Sequence, residues 1–174
     1  MLRPLSRSEI DEIDDTTNDI IGRSRALLNI HGLVANHPAL LKAYWPLREH
    51  VVNSNSLPPR CHELLILRIA FRMDCAYEWE HHVIRGKKVG ITQQELDEIR
   101  KIDGSWRCTT DELMVMCADE LFDKTALGKE TTETLNSYGK KGILDAIMTV
   151  NIYRTLANML LTFEVNADDL ALEH

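Results

Sequence analysis

The sequence has no cysteine pair at C-x-x-C spacing and no zinc-type ligand spacing. It also has no surplus of positive charge, and no apolar run approaching the roughly 20 residues that a bilayer requires. Each absence excludes something. The four cysteines, Cys61, Cys75, Cys108 and Cys117, form no dense disulfide framework, so reduced thiols in a cytoplasmic protein are expected. With 20 Lys and Arg against 27 Asp and Glu, the net charge of −7 works against nucleic acid or an anionic membrane as partner. Any anionic substrate must therefore be met by local cations. The opening MLRPLSRSEIDEIDD is too acidic for a secretory or transit sequence. No internal repeat, low-complexity segment or linker interrupts the 174 residues, so one domain spanning 1–174 is expected, large enough to bury about 70% of its unfolded surface.

What the chain does have is concentrated between Ser56 and Val89, where the longest apolar run adjoins the densest cluster of Glu, Cys and His. Pro58 and Pro59 suit the first turn of a helix, because their fixed φ fits it and the missing N–H would have no partner there. The spacing predicts a helix from Pro59 to about Arg72. Eight of the ten residues from Leu64 to Met73 are apolar, and the Leu, Arg and Glu content favours a buried helix over a strand. Asp74 is then placed to cap a second helix running from Cys75 to Lys88. At about 100° per residue, Cys75, Glu78 and His82 stand at i, i+3 and i+7 and share one stripe. On the first helix Glu63 is surrounded by Ile66, Leu67 and Ala70, with Arg68 and Arg72 on the opposite side. A carboxyl in such apolar surroundings is expected to have a raised pKa and to hold or pass a proton near neutral pH. Glu63 could equally be a structural carboxylate paired with His82 or an Arg, and Glu78 a partner for His82 or Arg85. Cys75 at a helix N-terminus would have a favoured thiolate, but would also serve as a small packing residue. Tyr77 and Trp79 are expected to line or cover the site. His81, about 100° round from His82, faces elsewhere and could pair across an interface.

Elsewhere the pattern is helical throughout. Ser8 to Asn29 reads as one or two short helices and His31 to Asn36 as another, ending before Pro38. PALLKAYWPLREHVV is an amphipathic helix interrupted at Pro46. His31, His37 and His50 are expected to be solvated or to sit at helix ends. Gly90 ends the second central helix, and Thr92 with Glu95 makes a capping box for a helix carrying Leu96, Ile99 and Ile102. Asp103 to Ser105 break the chain, and Thr109 with Glu112 repeats the capping pattern before a helix in which Cys117 is core filler. A helix from Lys129 to Ser137 follows. Gly139 and Gly142 bracket a turn into a long, largely apolar helix with Tyr153, Arg154 and Asn158, which must run through a core or supply a subunit interface.

The series Glu63, Cys75, Glu78, His82, within ELxILRxA...CxYEWxHH, resembles the carboxymuconolactone decarboxylase branch of the alkylhydroperoxidase D-like superfamily. The specific match runs from Leu57 to Gly90. The resemblance implies an all-α bundle of about six to eight helices, a trimeric or hexameric homo-oligomer, and no metal or organic cofactor. In the antioxidant branch the same frame carries a Glu, a CxxC pair and a His. Glu78 stands here at the second cysteine's place, which argues against disulfide-based peroxidase chemistry. A metal reading through Glu63, Cys75, Glu78 and His82 is permitted by ligand type, but the order is not H-E-x-x-H. The resemblance thus implies a cofactor-independent lyase acting on a small cyclic carboxylate such as a carboxylated lactone. Glu63, Cys75, Glu78 and His82 would be catalytic, with Tyr77, Trp79 and His81 binding the substrate. The alternatives are a thiol-dependent peroxidase using Cys75 and a non-catalytic oligomeric ligand-binding protein.

Overall fold

The computed structural model describes residues 2–22, 27–102 and 109–168, and every regular element among them is helical. None of these helices is long and apolar enough to cross a membrane. The chain divides into two compact units, residues 1–54 with 158–174, and residues 55–157.

The first unit holds α1 (Arg7–Asp11), α2 (Asp15–Gly22), α3 (Asn29–Val34) and α4 (Pro38–Asn53). A capping box between Ser6 and Glu9 starts α1 and brings Ile10 into full burial. His37 sits at the expected helix end, where its Nδ1 accepts the Leu40 N–H at 3.2 Å and caps α4. His31 instead is buried, its ring edge-on to Trp45 at 5.1 Å. Pro46 does not interrupt α4 as its sequence suggested. A single proline removes one backbone bond, and the bonds on either side carry the helix through.

The second unit is built on α5 (Pro59–Arg72), with α6 (Ala76–Lys88) and α8 (Thr109–Asp123) as its main neighbours and α7 (Gln93–Ile99) touching it as well. Then come α9 (Lys129–Leu135), a 3-10 turn (Asn136–Tyr138) and α10 (Gly139–Thr162), whose residues up to 157 belong to this unit. The described helices number ten rather than six to eight, the excess being pieces of one or two turns. The reading that Asp103 to Ser105 break the chain, Cys108, and the side chain of Thr109 lie outside the described residues.

α5 begins at Pro59 with Pro58 as its N-cap, and every residue from Cys61 to Ala70 is buried. Polar clamps fix both ends. Before its first turn, Asp145 of α10 accepts from the Ser56 N–H and hydroxyl at 2.8 and 2.6 Å. Arg60 donates to Asp111 and Glu95 and to the Gly90 carbonyl, tying α5 to α8, α7 and the end of α6. Near the other end Arg68 is 1% exposed and forms a two-pronged pair with Asp119 at 2.8 and 2.7 Å, while its Nη1 donates to the carbonyls of Ile99 and Lys101. Such a buried guanidinium is tolerated because its donors are matched.

Several sequence readings change at the helix ends. Asp74 is not the cap of α6. It takes φ +52° in the left-handed region to close α5, and Cys75 becomes the N-cap. Gly90, at φ +86°, ends α6 as expected, and Thr92 and Glu95 make both bonds of the α7 capping box. Because α7 stops at Ile99, Ile102 is left exposed instead of joining Leu96 and Ile99 in the core. The stretch expected as helix to Ser137 ends at Leu135 and tightens into the 3-10 turn. Gly142 lies inside α10, not in a turn: a Cβ there would stand 2.4 Å from the Tyr138 Cβ, so the glycine admits close packing.

Replacing Asp119 by alanine leaves the buried Arg68 charge without its carboxylate. This is expected to cost about 3 kcal/mol of unfolding free energy, the lower end for breaking a buried pair since Asp119 is partly solvated. Urea denaturation of Asp119→Ala against the parent chain measures it.

Candidate active site

α5 and α6 are joined by a three-residue corner, Met73 to Cys75, so Glu63 on the first and His82 on the second meet across it. The Nδ1–H of His82 donates to Glu63 Oε2 at 2.7 Å, and both side chains are nearly sealed from solvent. One turn below His82 on α6, Glu78 brings Oε2 to 3.7 Å from His82 Nε2, within reach of its charge but too far for a hydrogen bond. Glu63 is thus the partner that orients the imidazole, and Glu78 stands before its free nitrogen. α10 supplies Tyr153, whose ring meets the His82 ring edge-on at 4.9 Å.

Sequence reasoning expected Glu63 to have a raised pKa, and the structure reverses this. Burial does push the carboxyl up, but in the acid range where it titrates the charge of a protonated His82, the His82 hydrogen bond and the nearby His62 outweigh burial and hold it at about 2. His82 is shifted below its ordinary value, chiefly by burial and with a further contribution from the Arg85 charge, against the pull of Glu63. Both directions describe one state: Glu63 a carboxylate, and His82 a neutral imidazole with its proton on Nδ1 and a lone pair on Nε2.

Cys75 is buried beside Glu78, and here too the favoured thiolate is not found. Burial pushes the thiol up to about 11, with the Glu78 charge adding to the shift while the amides of Glu78 and Tyr77 oppose it. Cys61, Cys75 and Cys117 are buried and in no disulfide among the described residues, and burial pushes Cys117 up to about 12, in keeping with core filler.

The proposed substrate-binding residues lie on other faces of α6. Tyr77 and His81 stack on one another with ring centres 4.4 Å apart, and His81 Nδ1 donates to the Tyr77 carbonyl at 2.8 Å, so His81 is buried within the chain. Trp79 is half-buried under the Arg100 guanidinium, 4.3 Å from its ring centre. The structure therefore joins Glu63, Glu78 and His82 directly, sets Cys75 next to Glu78, and turns Tyr77, His81 and Trp79 toward one another or toward α7.

Two residues that sequence reasoning gave no role belong to the cluster. His62 Nδ1 lies 3.8 Å from Glu63 Oε1, and its ring stands edge-on to Tyr153 at 6.5 Å. His62 Nε2 is buried without a hydrogen-bond partner among the described residues, a condition that costs about 1–3 kcal/mol when nothing fills it. Neighbours on a helix diverge by about 100°, so periodicity separates His62 from Glu63. The adjacency of a histidine and a carboxyl was the one available hint. Among the described residues, no group of three or more His, Cys, Asp or Glu side chains is arranged to hold a metal ion.

Residues 38–115 match the model of the carboxymuconolactone decarboxylase family, a span containing Glu63, Cys75, Glu78 and His82. No curated protein matches the sequence. Among solved structures, a peroxidase-related protein from Silicibacter sp. TM1040 superposes with a TM-score of 0.76 at 13% identity, over 95% of this chain and 90% of its own. A protein from Agrobacterium tumefaciens described as a candidate antioxidant-defence protein AhpD gives 0.64 at 20% identity, over 76% and 93%. The debrominase Bmp8, as a cysteine-to-alanine variant in complex with 2,3,4-tribromopyrrole, gives 0.71 at 12% identity, over 97% and 92%. At these identities the likenesses show the shared alkylhydroperoxidase D-like fold. The chain thus has an alkylhydroperoxidase D-like fold, and its residues 38–115 are similar to the carboxymuconolactone decarboxylase family.

Proposed function

We propose that the protein is a cofactor-independent carboxy-lyase that removes carbon dioxide from a small cyclic carboxylate of the carboxylated-lactone kind, working as a homo-oligomer. The observation that carries the reading is the buried Glu63–His82 bond of 2.7 Å, which leaves His82 Nε2 as a proton-handling atom. The likeness of residues 38–115 to the carboxymuconolactone decarboxylase family supports the substrate class.

Loss of carbon dioxide leaves an electron pair on carbon, which a conjugated carbonyl of the substrate holds as an enolate. One proton must then reach that carbon. His82 rests neutral, so it does not begin as the donor. The arriving substrate carboxylate adds negative charge beside the ring and raises its affinity for a proton. The imidazole takes that proton from solvent on Nε2 and delivers it to the enolate, returning to its resting state; the balance is carboxylate plus proton to reduced carbon plus carbon dioxide. Glu63 holds the ring in place and stabilises the imidazolium while it exists. Glu78, facing Nε2, keeps that nitrogen the preferred protonation site. Cys75, held as a neutral thiol, borders the site without supplying a nucleophile.

Proton transfer of this kind is worth about 10²- to 10⁴-fold. His82→Ala is expected to lower kcat by that order while the chain keeps its helical circular dichroism, with carbon dioxide release from carboxymuconolactone as the assay. Full activity in the variant would remove His82 from the reaction. Cys75→Ala is expected to retain most activity, and hydroperoxide consumption that disappears with it would favour thiol chemistry instead.

The same pair sets a dependence of stability on pH. The Glu63 pKa falls on folding from 4.5 to about 2, so its contribution is complete above 4.5 and is lost as pH drops toward 2. Glu63→Gln is expected to be less stable at neutral pH and to show a shallower decline through that acid window. Denaturant titrations at a series of pH values report both.

A further inference from the structure

Glu63 faces two imidazoles. Its Oε2 accepts from His82 Nδ1 at 2.7 Å, and its Oε1 lies 3.8 Å from His62 Nδ1. The two histidines differ in what their second nitrogen meets. His82 Nε2 has Glu78 before it at 3.7 Å, whereas His62 Nε2 meets no hydrogen-bond partner among the described residues. The His62 side chain is only 9% exposed, and its ring stands edge-on to Tyr153 at 6.5 Å within the buried run of α5. Buried polar atoms in folded proteins are paired as a rule, and an exception at the edge of a proton-handling cluster marks a place that a ligand completes.

We propose that His62 is the substrate-gripping residue of this site, its Nε2 binding the carboxylate of a small cyclic acid while His82 moves the proton. The inference rests on the reading above as to which cluster receives the substrate, but not on what reaction follows. A carboxylate at Nε2 sets the ring between two anions, Glu63 on the Nδ1 side and the ligand on the other. The Nε2–H then donates to a charged acceptor, the stronger kind of hydrogen bond, while Glu63 Oε1, 3.8 Å from Nδ1, acts on the ring through its charge. Arrival of the ligand satisfies a buried cluster nitrogen that has no hydrogen-bond partner among the described residues. It also answers how a chain of net charge −7 accepts an acid: the local donor is the Nε2–H of His62. His62 therefore governs affinity, and His82 turnover.

Binding to the intact chain of 2-furoate, a cyclic carboxylate, and of furfuryl alcohol, its uncharged counterpart, tests this by titration calorimetry. Wild type is expected to bind 2-furoate in preference to the alcohol. His62→Leu is expected to weaken 2-furoate by roughly 10- to 100-fold, the share of one charge-assisted hydrogen bond, without changing the alcohol. His62→Gln, which keeps a donor, is expected to recover part of the loss, a rescue that a packing role would not give. Should His62→Leu fail to fold, the ring ¹⁵N resonance of His62 in wild type serves in its place and must move when 2-furoate is added. Equal binding of acid and alcohol, unchanged 2-furoate affinity in a folded His62→Leu, an unmoved ¹⁵N resonance, or no binding of 2-furoate by wild type would each overturn the assignment. His62-dependent binding of 2-furoate without carbon dioxide release from carboxymuconolactone would retain it and sink the decarboxylase reading alone. Release that does not depend on His62 would do the reverse.

Discussion

A carboxylate and an imidazole 2.7 Å apart, both withdrawn from water, are the contact on which the rest of this site depends. Neither group is inexpensive to bury alone. An isolated buried carboxylate would protonate, and a lone buried histidine would lose its orientation. Together they settle into a charged acceptor and a neutral donor, and the proton is confined to one face of the ring. Everything that the imidazole can do for a substrate then happens at Nε2.

That contact exists because α5 and α6 are held at a fixed corner. Asp74 takes a left-handed backbone, Cys75 restarts the helix, and the two axes separate at a point that brings Glu63 and His82 level. The polar clamps on α5 serve the same end. Asp145 grips the approach to its first turn, Arg60 binds α7 and α8 from that turn, and Arg68 joins it to Asp119. None of these charges touches the Glu63–His82 pair in the contacts described, yet each limits how far α5 can slide or roll. A shift of about 1 Å at such a pair would already degrade proton transfer.

Electrostatics divides the labour among similar groups. Glu63 and Glu78 flank the same ring, but one is hydrogen-bonded to it and the other stands off by an ångström more, so one orients and the other biases. His62 and His82 both face that carboxylate, but His62 Nε2 is buried with no hydrogen-bond partner among the described residues, whereas His82 Nε2 looks onto Glu78 at 3.7 Å. Cys75 has a helix N-terminus in its favour and burial against it, and burial prevails. The outcome is a site stocked with proton carriers and poor in thiolate.

Much of the fold was legible in the chain. The double proline, the largely apolar run of α5, Gly90 and the Thr92–Glu95 box are local devices whose physics operates within a turn or two, and each marks a boundary close to the observed one. Helical spacing likewise set Glu78 and His82 one turn apart, because that depends on a single helix. What spacing could not supply was the environment of each group. Glu63 read as a carboxyl in apolar surroundings with a raised pKa, and it is a carboxylate held at about 2, since the deciding imidazole arrives from the next helix. Whether Glu63 or Glu78 partners His82, that His62 and Tyr153 join them, and that Tyr77 and His81 stack together are matters of how helices dock. Residue types and their order along the chain determined which chemistry was available; only packing in three dimensions decided which groups share a proton, because charge interaction depends on distance and burial, neither of which is a property of sequence spacing.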